Sequence, residues 1–195
     1  MIKIAISGKA NSGKNTVASI ITKDLNISDK EVGMFAFADP IKEMILSMFP
    51  EAKRECLFGK SELRNHIISP LYKDKKGKIL TYRQALIDLG TLGRSYNNDI
   101  WVNLLKNRVD VASNSKNIKC IIVPDVRFRN EFSYLKLDNY FTIRLKRKDI
   151  TKINDVSETQ QDEIEDDLFD FVLNNNSSIT DLENSVKIMI HNRLK

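Results

Sequence analysis

The segment from Gly8 to Thr16 reads Gly-Lys-Ala-Asn-Ser-Gly-Lys-Asn-Thr. An apolar, strand-like run, Ile2–Ser7, precedes it, and apolar residues at helical spacing follow it from Val17 to Leu25. A strand, a glycine-rich turn, a lysine and a helix in this order are typical of a phosphate-binding loop, or P-loop. Glycines let the backbone point its N–H groups at an anion, and the helix N-terminus adds unpaired donors and a partial positive charge.

The loop also predicts individual contacts. Lys14 is expected to place its ammonium against the outer phosphates of a nucleotide. The residue after this lysine is usually a serine or threonine that binds Mg²⁺, but here Asn15 stands there and Thr16 follows. The alternative is a glycine-rich turn without a ligand, and the register of strand, loop, lysine and helix favours nucleotide binding over it. The predicted nucleotide-binding residues are Gly8, Asn11, Ser12, Gly13, Lys14, Asn15 and Thr16.

Length and composition limit the class of protein. The 195 residues are 42% hydrophobic and 29% charged, with a net charge of +5, which indicates one globular domain spanning 1–195. The basic residues are interspersed with acids, whereas a nucleic-acid-binding module would need a basic stripe with aromatic platforms. Two distant cysteines argue against a disulfide framework or zinc site. We see no signal peptide and no membrane-length apolar run, so we expect a cytoplasmic protein without membrane partners.

Strand-like and helical patterns alternate along the chain, which predicts an α/β fold with a parallel sheet. The expected strands after the first are Val32–Phe37, Ile118–Val123, Tyr140–Leu145 and Phe169–Leu173. The expected helices after the first are Ile41–Phe49 (begun by Pro40 and capped by Asp39), Tyr82–Leu89 (capped by Thr81), Ile100–Val111, Asn130–Leu137 and one starting at Asp181. The polar, charged stretch 146–167 suits a mobile lid.

Candidate site residues fall at the carboxyl ends of these strands, where parallel sheets bind ligands. Gly8, Asp39, Asp125, the lid and Asn174 all lie there. Asp125 directly ends a buried strand, where an acid bridges the metal in P-loop enzymes, so we favour function for it. Asp39 is either a site residue or a helix cap. Trp101 either stacks on a base or belongs to the core.

The ordered motifs span most of the chain: Ser12–Thr16, Phe37–Glu43, Leu89–Thr91 with Arg94, Asp99–Val102 and Asp125–Glu131. Together they resemble the phage-type deoxynucleoside monophosphate kinases, within the P-loop nucleoside monophosphate kinases. A weaker similarity lies in Ser157-Glu158 and in the turn at 174–178. The resemblance implies a P-loop NTPase fold, with a central five-stranded parallel sheet covered by helices on both faces. It also implies transfer of the γ-phosphate of ATP, with Mg²⁺, to a deoxynucleoside monophosphate.

The resemblance implies roles for individual residues, which are grouped here by expected contact. The residues assigned to binding of the acceptor nucleotide are Asp39, Lys42, Arg83, Gly90, Thr91, Arg94 and Trp101. The residues assigned to catalysis are Lys14, Asp125, Arg127 and Arg147. Asn174 and Asn175 join the ATP-binding set, and Mg²⁺ is assigned Thr16 and Asp125.

The residues agree with this chemistry independently. A phosphate monoester has a second pKa near ~6, so the acceptor oxygen is already anionic and needs no general base. His66 and His191 are accordingly expected at the surface. The reaction needs positive charge, and arginine suits it because its planar fork holds two phosphate oxygens. Arg144 is a further candidate, but its place inside a strand favours a salt bridge.

Three positions depart from the family pattern. Asn15 stands where the family usually has Asp, Ile87 where Gln is common, and Arg129 where Pro is usual. The first two favour a P-loop protein that binds ATP without catalysis, whereas Lys14, Thr16 and Asp125 favour an active kinase. A kinase for another small phosphorylated acceptor stays open, and so does a homodimer.

Overall fold

The computed structural model describes residues 1–74, 76–115, 117–148 and 156–193. In this part of the chain a sheet of five parallel strands has the order β2-β3-β1-β4-β5. The strands are β1 (Ile2–Ser7), β2 (Val32–Met34), β3 (Cys120–Val126), β4 (Phe141–Lys146) and β5 (Phe171–Asn174). The helices are α1 (Lys14–Asp24), α2 (Asp39–Met48), α3 (Arg54–Phe58), α4 (Tyr82–Tyr96), α5 (Ile100–Ser113), α6 (Arg129–Leu137), α7 (Val156–Asp162) and α8 (Ile179–Arg193).

Both faces of the sheet are buried, as β3 illustrates. Cys120 and Ile122 join a core that includes residues of α1 and α8. Ile121 and Val123 alternate to the opposite face and have no exposed surface either. Burial on both faces is characteristic of a parallel sheet covered by helices. The predicted α/β fold, with its five-stranded parallel sheet between helices, is confirmed.

Contacts divide the chain into two compact units, each with its own core. The first unit contains residues 1–37 and 105–195 and holds the whole sheet. The second unit contains residues 38–104, and its core groups Ile45, Leu57 and Tyr82 with other buried side chains of α2 to α5. Each unit therefore buries an apolar interior of its own.

Several elements end at residues that the sequence did not predict. β3, expected to end at Val123, continues to Val126. The strand expected at Val32–Phe37 stops at Met34, and the N–H of Phe37 donates to Asp125 Oδ1 at 3.1 Å instead of to a neighbouring strand. The helix expected to end at Leu89 continues to Tyr96. It passes through Gly93, where an added Cβ would lie 2.3 Å from Trp101 Cζ2. Packing of the indole against the helix thus overrides the low helix propensity of glycine.

Among the predicted helix starts, that of α4 is confirmed, whereas those of α2 and α8 differ from the prediction. Thr81 caps α4 as predicted, because its hydroxyl accepts the N–H of Gln84 at 3.2 Å. Asp39 is not the cap of α2, because the helix begins at Asp39 itself and Ala38 holds the cap position. The helix expected from Asp181 begins two residues earlier, at Ile179, where Ser178 and Asp181 exchange hydrogen bonds.

The stretch expected to form a lid, 146–167, is described in part. It contains α7 and the beginning of a 3₁₀ turn (Asp166–Leu168), while residues 149–155 lie outside the described residues. Its function as a lid stays a prediction. Within the described ranges we find no helix with both the length and the apolar character needed to span a bilayer.

Candidate functional site

The loop between β1 and α1 has the backbone of a phosphate-binding turn. Gly13 adopts φ 100° and Asn11 φ 59°, both left-handed conformations, and the loop closes on the first turn of α1. Only glycine fits at position 13, because a Cβ there would be strained and would lie 2.7 Å from Asn175 Nδ2. Successive N–H groups in such a turn form a concave anion-binding surface.

A buried hydroxyl in this loop lacks a partner. Ser12 Oγ is buried and has no hydrogen-bond partner among the described residues. An unpaired buried polar group is costly, and at a functional site it often marks the place of a ligand. The loop therefore has the features of an anion-binding site.

The first turn of α1 is open to such an anion. Asn15 and Thr16 are exposed, and no acidic side chain lies in this turn. The unpaired N–H groups and the positive end of the helix dipole favour a phosphate at this position.

Lys14 lies over the loop that precedes it. Its Nζ donates to the carbonyl oxygens of Gly8, at 2.6 Å, and Lys9, at 2.7 Å. The ammonium is therefore held against the backbone at the start of the loop. Its contact with the outer phosphates of a nucleotide stays a prediction.

Side chains from the ends of β4 and β5 brace the loop. Asn175 Nδ2 donates to the carbonyl of Ser12 at 2.8 Å, and its N–H donates to Lys146 O at 2.7 Å. Arg147 Nη1 donates to the carbonyl of Asn11 at 3.3 Å. The structure thus brings two residues assigned by the resemblance, Asn175 and Arg147, to the P-loop.

A pocket of about 300 Å³ adjoins the loop. Basic residues from the start of the loop and the end of β4 line it, together with polar residues of α7 and β5: Lys9, Arg144, Lys146, Arg147, Lys148, Gln161, Asp162, Asn174 and Asn176. Lys9 pairs with Asp162 at 2.7 Å. Asn174, another predicted ATP-binding residue, therefore lies at a cationic pocket beside the P-loop.

Asp125 and Arg127 lie at the end of β3, beside β1. Asp125 is half-buried, and it fixes the backbone after β2 through its bond to Phe37. The N–H of Arg127 donates to Glu131 Oε2 at 2.8 Å, and so does that of Phe128 at 3.0 Å. Glu131 is 3% exposed, so this acid of the motif fastens the start of α6 rather than facing a ligand.

In the second unit, Asp39 and Lys42 form an ion pair at 2.7 Å. Their side chains are 19% and 10% exposed, so the pair is largely shielded from water. Lys42 Nζ also lies 4.7 Å from the centre of the Phe58 ring, and the guanidinium of Arg54 lies 4.2 Å from it. Phe58 and Arg54 could not be selected from the sequence, because contacts between aromatic rings and cations follow no fixed spacing.

Helix α4 carries four of the other residues assigned to the acceptor: Arg83, Gly90, Thr91 and Arg94. Arg83 donates to Asn65 Oδ1 at 2.8 Å and to Ser61 O at 3.2 Å. Thr91 is exposed, and Gly90 and Arg94 are adjacent on one side of the helix. Their roles in binding the acceptor stay predictions.

Two side chains have the structural role that the sequence left open for them. Trp101 is 3% exposed and donates from Nε1 to Gly90 O at 3.0 Å, so it belongs to the core and its ring is not open for a base. Arg144 is 8% exposed and pairs with Asp166 at 3.3 Å, which is the salt bridge favoured for a strand residue. Both histidines are exposed, as predicted.

The sequence missed a buried polar cluster beneath the loop, formed by Ser7, Arg144 and Gln161. Gln161 is 1% exposed although it lies in the stretch expected to be a polar lid. A single glutamine among charged residues gives no signal of burial.

The sheet and the P-loop together define an α/β protein of the P-loop class. No protein-family model matches the chain. The chain is similar to a protein of Acanthamoeba polyphaga mimivirus named "Putative deoxynucleotide monophosphate kinase", with 27% identity over an alignment of 205 positions. The alignment covers 98% of this chain and 97% of that protein. This relative confirms the resemblance to deoxynucleoside monophosphate kinases that the ordered motifs indicate.

Solved structures give a more distant likeness. Cobyrinic acid a,c-diamide synthase from Mycobacterium smegmatis, with bound ADP and magnesium, aligns over 99% of this chain and 82% of its own, at 15% identity and a TM-score of 0.37. The same enzyme with a bound ATP analogue and magnesium aligns over 98% and 83%, at 14% identity and a TM-score of 0.35.

Proposed function

We propose that this protein transfers the γ-phosphate of ATP to a deoxynucleoside monophosphate and forms the diphosphate. The observation that carries the proposal is the position of Lys14, whose ammonium lies over a P-loop with an unpartnered buried hydroxyl. The relative's name supports the choice of acceptor, because that protein matches this chain along its full length.

The proposed reaction needs no general base. An acceptor phosphate oxygen attacks the γ-phosphorus of ATP, the bond between the γ-phosphorus and the β,γ-bridging oxygen breaks, and ADP leaves. Because the second pKa of the acceptor monoester is near ~6, the attacking oxygen is anionic at neutral pH. The protein therefore contributes placement, positive charge and exclusion of water.

The positive charge comes from residues at the sheet edge of the first unit. Lys14 would neutralise charge on the transferred phosphoryl group, and its two carbonyl contacts hold it in place beforehand. Arg147 is anchored to the loop through Asn11, and Arg127 follows the end of β3. We assign these two arginines to the same developing charge.

The residues present fit Mg²⁺ as the metal. Mg²⁺ keeps several waters and takes only one or two protein oxygens besides phosphates. Thr16 is exposed on the first turn of α1, and Asp125 is half-buried at the end of β3. They offer a hydroxyl oxygen and a carboxylate oxygen as ligands for the metal. Bound Mg²⁺ would neutralise charge on the phosphates of ATP.

The acceptor is assigned to residues of the second unit. The Asp39–Lys42 pair contributes a shielded cation and anion, and α4 contributes Arg83 and Arg94. These groups suit an acceptor that carries a phosphate and a hydroxyl-bearing sugar. Trp101 is left out of this set because it is buried.

A second candidate function is ATP binding without catalysis, favoured by Asn15 on the exposed first turn and by Ile87 on α4. Turnover separates the two candidates. We expect a coupled ADP-release assay across the common deoxynucleoside and ribonucleoside monophosphates to show activity with at least one deoxynucleotide. A protein that binds ATP and phosphorylates no monophosphate would be the second candidate.

The matched variant for this assay is Lys14→Ala. Loss of one preorganised charge should reduce turnover by at least ~100-fold. The fold should persist, because Lys14 contacts its own loop and not the apolar core. Near-normal turnover in this variant, with circular dichroism like that of the wild type, would contradict the P-loop kinase mechanism.

A further inference from the structure

A closed group of hydrogen bonds lies beneath the P-loop. Ser7, the last residue of β1, is fully buried and directly precedes Gly8. Its Oγ receives Arg144 Nη1 and Gln161 Nε2, both at 3.1 Å, and donates to Val126 O at 3.0 Å. Gln161 Nε2 also donates to Val126 O, at 3.0 Å. One carboxamide therefore joins the ends of β1 and β3.

The orientation of this carboxamide follows from its partners. Val126 O is only an acceptor, so the amide atom beside it must be the nitrogen. Arg144 is only a donor, so Ser7 Oγ accepts from it and from Gln161 while giving its own proton to Val126 O. Gln161 Oε1 is left buried without a partner among the described residues. The side chain is thus held by its donor half.

This group occupies a gap in the sheet. Along β1 and β3 the register passes from Ala5–Val123 to Ser7–Val126, so one residue step is added on β3. Pro124 lies in this step and has no N–H for the ladder. Side-chain hydrogen bonds from Ser7 and Gln161 connect the two strand ends where backbone pairing is irregular.

Helix α7 also holds the other side of Gly8. Asp162, next to Gln161, pairs with Lys9 at 2.7 Å. Arg144 Nη2 donates to the carbonyls of Gln161, at 2.8 Å, and Ile164, at 3.2 Å, which fixes the end of α7 against β4. Consecutive residues of one helix therefore contact the residues before and after the first glycine of the loop.

We propose that Gln161 is a positioning residue of the phosphate site. Through Ser7 it fixes the start of the P-loop, and through Val126 it fixes the end of β3 that leads into Arg127. It acts through these residues and does not itself contact the phosphates. The inference rests on the proposed function for its catalytic consequence, but its effect on nucleotide affinity requires only a P-loop that binds nucleotide.

The test compares the affinity for MgADP, measured by calorimetry well below the unfolding temperature, with the thermal stability of each variant. Gln161→Leu removes both donated bonds at similar volume. We expect it to weaken MgADP binding about ten-fold, as loss of buried hydrogen bonds that hold a site implies. We expect kcat at saturating substrates to fall, with the KM for the acceptor unchanged.

Four further variants keep the test independent of folding. Ser7→Ala removes the shared acceptor without adding volume and should weaken MgADP binding to a similar extent, while Ser7→Thr keeps the hydroxyl and should restore it. The double variant that combines Ser7→Ala with Gln161→Leu should bind MgADP no more weakly than the weaker-binding of the two single variants, because the two residues act as one unit. The matched control is Thr142→Val, which removes partly buried hydrogen bonds of β4 to Asp170. It should lose stability and keep its affinity for MgADP within about two-fold.

Two results would overturn the inference. One is unchanged MgADP affinity in both Gln161→Leu and Ser7→Ala. The other is an equal loss of affinity in Thr142→Val, which would mean general destabilisation. A wild-type protein that binds MgADP but phosphorylates no monophosphate would refute the kinase proposal alone, and the affinity comparison would still decide the role of Gln161.

Discussion

At the scale of single residues, the P-loop poses a choice between two neighbours on the first turn of α1. Asn15 and Thr16 are both exposed, so neither is committed to the core. Asn15 offers a neutral amide oxygen where the family usually offers a carboxylate, and Thr16 offers the hydroxyl that usually stands one position earlier. Neutral ligands hold a cation more weakly than charged ones, so the metal contact depends on which oxygen reaches it.

We predict that Thr16 supplies this oxygen. Thr16→Val keeps the β-branched shape and removes the hydroxyl, and it should lower turnover by about 10- to 100-fold and raise the Mg²⁺ requirement. Asn15→Ala should change both much less. A Mg²⁺ titration of activity measures the two variants side by side, and the reverse order of effects would make Asn15 the ligand.

Other site residues show why only part of the site could be predicted from the sequence. The P-loop has fixed spacing, so Gly13 and Lys14 could be placed before the structure was known. Trp101 could not, because a tryptophan on an apolar helix face suits both a core and a stacking role. Gln161 could not either, because its partners, Ser7 and Val126, lie more than thirty positions away in the chain.

At the scale of elements, the order of the strands and of six helices was predictable, whereas the short helices α3 and α7 and several element ends were not. Hydrophobic periodicity reports which segments are buried, and this gave all the strands of the sheet in their correct places. Ends depend on single tertiary contacts. After β2, Asp125 accepts the N–H of Phe37, and α4 continues through Gly93, against which Trp101 packs. Neither contact is local in sequence.

The two glycines of α4 give a matched pair of variants. Gly93→Ala would place its Cβ 2.3 Å from Trp101 Cζ2, so the ring must move, and we expect a loss of about 1–3 kcal/mol in unfolding free energy. Gly90→Ala meets only side-chain atoms, at 3.4 Å, and gains up to ~1 kcal/mol in helix propensity. Urea unfolding measures both. Equal destabilisation by the two alanines would contradict the contact argument.

Asp170 joins β4 to β5 and makes stability depend on pH. Its carboxylate accepts the N–H and hydroxyl of Thr142, both at 2.8 Å, and pairs with Lys136 at 2.7 Å. Burial raises the pKa of Asp170, but the hydrogen bonds from Lys136 and Thr142 outweigh it and lower the pKa below its ordinary value of 3.8. A lowered pKa means that the carboxylate stabilises the fold above pH 3.8 and loses this effect as the pH falls through the folded-state value.

Asp170→Asn should therefore cost about 1 kcal/mol of unfolding free energy at pH 7, given that the group is partly exposed. The difference from the wild type should shrink as the pH is lowered below about 4. Urea unfolding at pH 7, 5 and 3 tests this, with Asp167→Asn, an exposed neighbour, as the control. If the difference in unfolding free energy between Asp170→Asn and the wild type stays constant from pH 7 to pH 3, the charge of Asp170 does not cause it.

At the scale of the whole molecule, the chain consists of two units with separate cores. The first unit carries the P-loop, the end of β3 and the pocket beside Asn174. These parts of the chain contain the residues assigned to ATP. The second unit carries the Asp39–Lys42 pair and α4, which are assigned to the acceptor. Because ATP is assigned to the first unit and the acceptor to the second, we expect each ligand to change the dynamics of a different unit.

We predict that the two ligands slow amide exchange in different units. Binding suppresses the local opening of the residues it orders, so MgADP alone should protect the P-loop and the first turn of α1. A deoxynucleoside monophosphate that serves as acceptor should protect amides within 38–104 when added alone. Hydrogen exchange read by mass spectrometry resolves both segments, with Lys14→Ala as the control that should lose the response to MgADP and keep the response to the acceptor. Protection of the P-loop by both ligands, with none in 38–104, would contradict the assignment of the acceptor to the second unit.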